Sequence, residues 1–281
     1  MKITKKYKPL SNDKSVNLAE CQKYLLDTFS LFQKFCDKYK IDCFLLWGTL
    51  LGSVRDGGII PWDDDIDLGI TTDNFLVLKN NLEHLSEFGL SYYHYSTCSD
   101  TYSNEIRIYK KGFYKLQNDG RSTYFTPVCL DIFVAHKVST SLDNKIIKKY
   151  DLKIQKCYDT LILKEAKWKS KSRIKSIARH MYKLLFAFVS NQSLHKKIEK
   201  MCDLLYSDGE YNYFFPDTMH GKSMKQYDSH FFDQLEDTVF EGINCKIPSD
   251  TSALLTRMYG DWSVRKDRSN GEVYNEQFIK R

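Results

Sequence analysis

Apolar residues recur at helical spacing from Leu18 through Cys21, Leu25, Phe29 and Phe32 to Cys36, with polar residues between them. Positions three and four apart share one face of a helix. Asn17, with Glu20 three places on, has the form of a capping box, so a helix is expected from there to about Tyr39, its stripe facing the core. The period then changes. Cys43-Phe44-Leu45-Leu46-Trp47 is continuously apolar and reads as a short buried strand. Gly48-Thr49 begins a turn into a short helix, Leu50 to Val54. Asp65-Ile66-Asp67-Leu68-Gly69-Ile70 alternates, which as a strand sends Ile66, Leu68 and Ile70 inward and both Asp side chains to the other face. Phe75, Leu78, Leu82 and Leu85 return to helical spacing.

Residues 90 to 134 read as β-rich. Ile106 and Ile108 alternate with Glu105 and Arg107, and Val128 to Val134 is apolar except for Asp131. Residues 144 to 206 read as two or three helices, and residues 207 to 235 as an aromatic loop over the site, with Tyr211, Tyr213, Phe214 and Phe215 as a candidate acceptor wall. Residues 239 to 248 read as a hairpin bending near Gly242-Ile243-Asn244. A last helix, capped by Ser249 or Asp250, should run through Tyr259 and stop at Gly260. The expected organisation is a loose segment over 1–16, one α+β domain over 17–265 with a helical insertion at about 144–206, and a tail over 266–281.

Composition narrows this little. Of 281 residues, 42% are hydrophobic, which fits one globular domain. The eight cysteines have no C-x-x-C pairing and mostly apolar neighbours, as reduced thiols of a cytoplasmic protein do. The seven histidines lack zinc spacing. The basic start has no apolar stretch after it, and no run reaches membrane-spanning length. The net charge of +6 is concentrated in one place. Between Lys164 and Lys183 Glu165 is the only acidic residue among eight basic ones, and Trp168, Ile174, Ile177, Met181, Leu184 and Leu185 add apolar positions. Two readings stand for 164–185: a basic amphipathic helix in peripheral contact with the inner face of a membrane, or a solvated helical face. No nucleic-acid module accompanies these charges.

Asp63, Asp64, Asp65 and Asp67 put four carboxylates within five residues. Like charges repel and are costly to desolvate, so the cluster calls for a cation. Mg²⁺ or Mn²⁺ suits it, because hard divalent ions take one or two carboxylates together with substrate phosphates and water. Asp65 and Asp67 would stand about 7 Å apart on one strand face, close enough to share metal ions. Upstream, Gly48 permits close backbone approach, the Thr49 hydroxyl and helix-start N–H groups can hold a phosphate, and Arg55 offers a forked donor. Asp63 and Asp64 complete the metal shell or orient it. Arg107 either pairs with a donor phosphate or faces solvent. A single carboxylate inside an apolar strand needs a partner, so Asp131 reads as a third metal ligand or the general base ahead of a buried ion pair.

At these residues the chain resembles the LicD family of phosphotransferases, related to the fukutin proteins. The resemblance lies in Gly48-Thr49-Leu50-Leu51-Gly52 with Arg55, then Ile60-Pro61-Trp62-Asp63-Asp64-Asp65-Ile66-Asp67. Leu130-Asp131-Ile132-Phe133 resembles the strand carrying the family's third carboxylate. Phe240-Glu241-Gly242, Ile247-Pro248 and Tyr259-Gly260-Asp261-Trp262 resemble its C-terminal pattern, so the likeness spans roughly residues 20 to 265. It departs at Asp56, where a basic residue is common, at Trp47, where a small one is, and at Ser263, which stands in place of a proline.

The resemblance implies a nucleotidyltransferase-like fold, a small mixed β-sheet flanked by helices. It implies transfer of phosphocholine from CDP-choline to a sugar hydroxyl of a lipopolysaccharide, teichoic acid or capsule glycan, with CMP released. Ribitol- or glycerol-phosphate transfer from the CDP-polyol is the first alternative. A nucleotidyltransferase that attacks an NTP and releases pyrophosphate is the second, and a non-catalytic scaffold the third.

Overall fold

The computed structural model describes residues 7–8, 10–98, 101, 104–118, 123–165, 181–182, 184–186, 188–206, 209–216, 224–265 and 277–281. Helix α1 (Leu18–Tyr39) starts as its sequence requires. Asn17 Oδ1 accepts from the Glu20 N–H at 2.9 Å, and Glu20 Oε2 accepts from the Asn17 N–H at 3.1 Å. Its stripe Cys21, Leu25, Phe29, Phe32 and Cys36 is buried, joined by Tyr24 and Phe35.

In chain order the strands are β1 (Lys14–Val16), β2 (Cys43–Leu45), β3 (Ile66–Thr71), β4 (Leu90–Tyr93), β5 (Ile106–Lys110), β6 (Phe113–Asn118), β7 (Thr123–Pro127), β8 (Leu130–Ser139), β9 (Tyr211–Phe214), β10 (Gln226–Asp228), β11 (Leu235–Phe240), β12 (Ile243–Pro248) and β13 (Phe278–Lys280). The larger sheet is ordered β10–β9–β8–β3–β2–β12–β11, and β5 also pairs with β8. β3 is parallel to β8, whereas β2 is antiparallel to β3 and β5 to β8. Helices and a mixed sheet make the fold α+β. Gly69 lets the sheet close onto Phe44, since a Cβ there would come within 2.0 Å of that ring.

Several expectations change. The apolar run at 43–47 is a strand only to Leu45. Trp47 turns with φ of +44° and opens helix α2 (Trp47–Leu51), which continues as a π-turn over Gly52–Asp56. Helix α3 (Thr72–Asn81) gives way to a 3₁₀ turn at Leu82–Phe88. The hairpin bends at Glu241-Gly242, both with positive φ, one step earlier than read. Asp250 stands at the start of helix Thr251–Tyr259 but makes no side-chain cap bond. Tyr213, Phe214 and Phe215, read as a wall of the site, are core residues.

The ends of the chain also depart from a loose segment and a frayed tail. β1 and β13 pair with each other, and β13 pairs with β6 in a second sheet ordered β1–β13–β6–β7. Arg281 grips Asp13 through Nε and Nη2 at 2.8 and 2.9 Å, a bidentate pair that single-element patterns do not reveal.

Helix α4 (Asn144–Glu165) packs on helix Asn191–Asp203. Ile154, Cys157 and Leu161 meet Ile198, Met201 and Cys202 in a cluster separate from the main core. All eight cysteines are free, and seven are buried. Among the described residues no helix is long and apolar enough to cross a membrane. Most of the basic stretch 164–185 lies outside the described residues.

Candidate active site

Three neighbouring strands put three charged residues in one row. Asp67 on β3 is in register with Asp131 on β8, and Asp131 with Arg107 on β5. Residues directly opposite across a ladder share a face, with strands about 4.8 Å apart. The alternation of β3 therefore does what its sequence requires: Ile66, Leu68 and Ile70 are buried beneath, and Asp67 stands on the opposite face. Asp65 comes just before the strand, which begins at Ile66.

The turn after β2 is tied to this row. The Thr49 Oγ1 accepts from the Asp67 N–H at 2.8 Å, and the Leu46 N–H donates to the Asp67 carbonyl at 3.0 Å. Thr49 thus uses a lone pair on the strand and keeps its hydroxyl proton to donate. Gly48 passes beneath Asp63, and a Cβ there would lie 3.0 Å from Asp63 Oδ2. The positive φ of Trp47 sets the turn. Such a conformation costs a non-glycine residue about 1–3 kcal/mol and persists where surrounding structure enforces it. Here Phe215 and Phe133 pack edge-on to the indole at 5.3 and 6.4 Å. Glu241, from the hairpin, braces the loop leading to the acidic residues: its Oε1 accepts from the Ile59 N–H at 2.9 Å.

The carboxylates differ in their partners. Asp64 pairs with Lys115. Asp131 faces Arg107, with Nε 2.8 Å from Oδ1 and Nη2 3.2 Å from Oδ2. Arg107 also reaches Glu105 at 2.9 Å and the Tyr93 hydroxyl at 3.4 Å. The buried ion pair that the sequence reading ranked below a metal or base role for Asp131 is therefore present. Arg107 is turned to protein carboxylates. Arg55 is likewise turned onto Asp56, at 2.6 Å, the position where the chain departs from the family pattern.

Asp65 and Asp67 are different. Among the described residues neither side chain has a hydrogen bond or ion pair. Burial, then the charges of Asp63, Asp131 and Asp64, push the Asp65 carboxyl up to about 7, with Lys115 opposing. Burial, then Asp65 and Asp131, raise Asp67 well above the ordinary carboxylate range. Asp131 is raised by burial and lowered by Arg107.

A divalent cation fits this donor set. It would offset the burial and like charges that raise Asp65 and Asp67, and Mg²⁺ asks for no more than one or two carboxylates when phosphates complete its shell. Among the described residues no three His, Cys, Asp or Glu side chains converge on one metal position.

The structure adds residues that sequence reasoning left out. Glu105 had a signal, since it alternates with the apolar residues two places before Arg107, though it stands just ahead of β5; it is 5% exposed, and its Oε2 has no partner among the described residues. Lys115 and Tyr93 come from other strands and gave none. Tyr259 lies within electrostatic reach of Asp67 and Asp63; burial and then the Asp67 charge raise its phenol above the ordinary value.

Comparison with known proteins agrees with this geometry. Residues 40–160 match the family described as LicD/FKTN/FKRP, nucleotidyltransferase domain. That span holds every candidate residue from Gly48 to Asp131. The chain is 26% identical over 263 residues to the lipopolysaccharide cholinephosphotransferase LicD of Haemophilus influenzae, covering 89% of this chain and 92% of that one. It is 34% identical over 133 residues to an uncharacterized protein of Rickettsia prowazekii, covering 47% of this chain and 38% of that one. A protein of Rickettsia typhi is 31% identical over the same length, 33% of its own. The residue row and the phosphate turn both lie within the matched span, so residues 40–160 carry the similarity to the LicD/FKTN/FKRP nucleotidyltransferase domain.

Proposed function

We propose that this protein transfers phosphocholine from a CDP-activated donor to a sugar hydroxyl on a cell-surface glycan. The observation that carries the reading is the Asp65–Asp67 pair, raised by burial and by the carboxylates around it and standing directly behind the Gly48-Thr49 turn. The Haemophilus relative, whose name specifies cholinephosphate transfer to lipopolysaccharide, supports the group and the acceptor class. Trp62, next to Asp63, supports a cationic headgroup: the Arg265 guanidinium lies 4.7 Å over its ring, so this aromatic face already takes a cation.

Mg²⁺ or Mn²⁺ held by Asp65 and Asp67 would neutralise the donor diphosphate and the departing CMP. The chain's own groups do the rest. Gly48 allows close backbone approach to a phosphate, and Thr49 has a hydroxyl proton to donate to it. Asp63 and Asp64 border the pair, Asp64 with its charge offset by Lys115. The acceptor oxygen bonds to the phosphorus that carries choline, and the bond from that phosphorus to the CMP oxygen breaks. The hydroxyl proton passes to Asp131, whose lone pairs become available when Arg107 exchanges its carboxylate partner for a donor phosphate. Positioning and charge stabilisation supply most of the acceleration.

The description of the matching family as a nucleotidyltransferase domain keeps one other reading in view, attack on the α-phosphorus of an NTP. Thermal shift with Mg²⁺ and CDP-choline, CDP-ribitol, CDP-glycerol, CTP or ATP separates the two. A ligand at 100 times its Kd stabilises by about 2.7 kcal/mol. CDP-choline should do so in the wild type and not in Asp67→Asn, and turnover should release CMP. Stabilisation by CTP or ATP alone, with pyrophosphate as product, would overturn the reading.

A further inference from the structure

Helix α4 carries a second charged feature, unconnected with the carboxylates. Lys145, Lys149, Lys153 and Lys156 follow one another at spacings of four, four and three, with Lys148 three places from Lys145, so they share one side of the helix, and all five are exposed. The exposed Leu152 stands among them on the same surface. Among the described residues none of the five is ion-paired. Asp151 points into the protein, where it accepts from the Met224 N–H at 3.0 Å, and only Asp159 interrupts the face, at its far end. The opposite side of the helix is fully employed in packing, through Ile154, Cys157 and Leu161. Neighbouring like charges on a helix cost a few tenths of a kcal/mol per pair, and this stripe has no compensating carboxylates along most of its length.

A second observation lies one turn beyond Lys156. The Thr160 hydroxyl is 2.9 Å from the Tyr182 hydroxyl, which holds the 181–188 segment against α4. In that segment Met181, Leu184, Leu185 and Phe188 repeat at three, four and seven residues, so they too form a stripe. They are 59%, 71%, 73% and 97% exposed. A row of large apolar side chains this exposed marks an interaction surface.

We infer that the α4 lysine face and the 181–188 apolar stripe together form a docking surface for an anionic lipid bilayer. The charge is complementary to acidic headgroups, and the apolar stripe supplies what enters the headgroup boundary. Basic residues beside exposed Leu and Phe are the composition of interfacial helices. A polyanion such as RNA would use the lysines and leave the stripe in water. The surface shares no residue with the donor site, so docking needs neither donor nor metal, and it would hold the enzyme where lipid-anchored glycans are presented.

Flotation of the full chain with vesicles of phosphatidylcholine alone, or containing about 30% phosphatidylglycerol, tests this. Binding should require the anionic lipid and weaken with salt. Each lysine near the surface contributes about 1 kcal/mol, so Lys149→Gln with Lys153→Gln should weaken binding roughly 30-fold. Leu185→Ser with Phe188→Ser should weaken the binding that persists at high salt. Asp67→Asn should bind as wild type does, which separates failure of docking from failure of the catalytic reading. Melting curves of the lysine and stripe variants confirm that they fold. Equal binding to neutral vesicles, no binding to either, or unchanged binding by the lysine variant would overturn the proposal, as would a preference for short RNA over vesicles.

Discussion

Asp131 on β8 and Glu105, just ahead of β5, share the guanidinium of Arg107; one strand away, Asp65 and Asp67 have no cation paired with them among the described residues. The two pairs occupy the same sheet face and feel one another's charge, yet they are balanced differently. The first has its charge offset within the protein, because a forked guanidinium can serve two carboxylates at once, though Glu105 Oε2 keeps no partner among the described residues. The second is left with its repulsion, and burial raises both acids. Folding has no use for such a pair, so the difference marks which carboxylates are structural anchors in this arrangement and which await a charged ligand.

The largest effect should come from removing the built-in cation. Arg107→Met leaves Asp131 and Glu105 facing each other without it. Breaking a buried pair by taking one partner costs about 3–5 kcal/mol. The Arg107 side chain is 24% exposed, which puts the expected loss at the lower end, about 3 kcal/mol in urea unfolding. Adding Asp131→Asn should recover part of it. A stable Arg107→Met protein would mean that the two halves are not balanced differently after all.

Asp67→Asn should do the reverse to stability while abolishing function. It removes a buried charge that Asp65 and Asp131 repel, so the fold should be unharmed or more stable without added metal. Turnover should fall by about 10²–10³-fold, the scale of losing one preorganised charge-stabilising group. A melting temperature as depressed as that of Arg107→Met would show that Asp67 is an anchor too.

The pH dependence sharpens the contrast further. Asp65 has its folded value raised to about 7 from an ordinary 3.8. A raised acid binds its proton more tightly in the folded state, so its contribution to stability is greatest at low pH and is lost as pH rises from about 4 to about 7. Asp13 and Asp56, lowered by Arg281 and Arg55, act in the opposite sense. The informative quantity is therefore a difference. In EDTA, the melting temperature of Asp65→Asn minus that of wild type should climb across that window, and Mg²⁺ at pH 7 should shrink it. A flat difference would remove Asp65 from the repelling pair.

How far the chain could be read ahead of its structure depends on distance along the sequence. The α1 stripe and its capping box, and the inward Ile66, Leu68 and Ile70, are properties of one element and were legible. So was the Asp65–Asp67 pair, because its oddity is local. The partners were not. Arg107 reads as a half-exposed strand residue until β5 is in register with Asp131, and nothing around Lys115 announces Asp64. The closure of the chain by β1, β13 and the Arg281–Asp13 pair joins residues more than 260 apart. The 43–47 run misled by one turn, since its apolar character suits Trp47 packing on Phe215 as well as a strand.

Lys115 offers the smallest and most discriminating change, because it sits between the two halves. It pairs with Asp64 and also pulls Asp65 downward. Its side chain is 24% exposed and that of Asp64 17%, so the pair itself should be worth about 1 kcal/mol or less. Lys115→Gln should therefore cost little stability. Its consequence should appear at Asp65, which loses an opposing charge and becomes harder to ionise. At pH 7 more of the pair would be protonated, and a divalent ion would have to displace that proton. Apparent Mg²⁺ affinity, read from the metal dependence of the melting temperature, should drop at pH 7 and recover toward pH 8.5, since raising the pH removes the Asp65 proton that the ion must displace. If the variant instead binds Mg²⁺ more tightly at both values, Lys115 competes with the ion for these carboxylates, and Asp64 belongs with Asp65 and Asp67 among those that await a ligand.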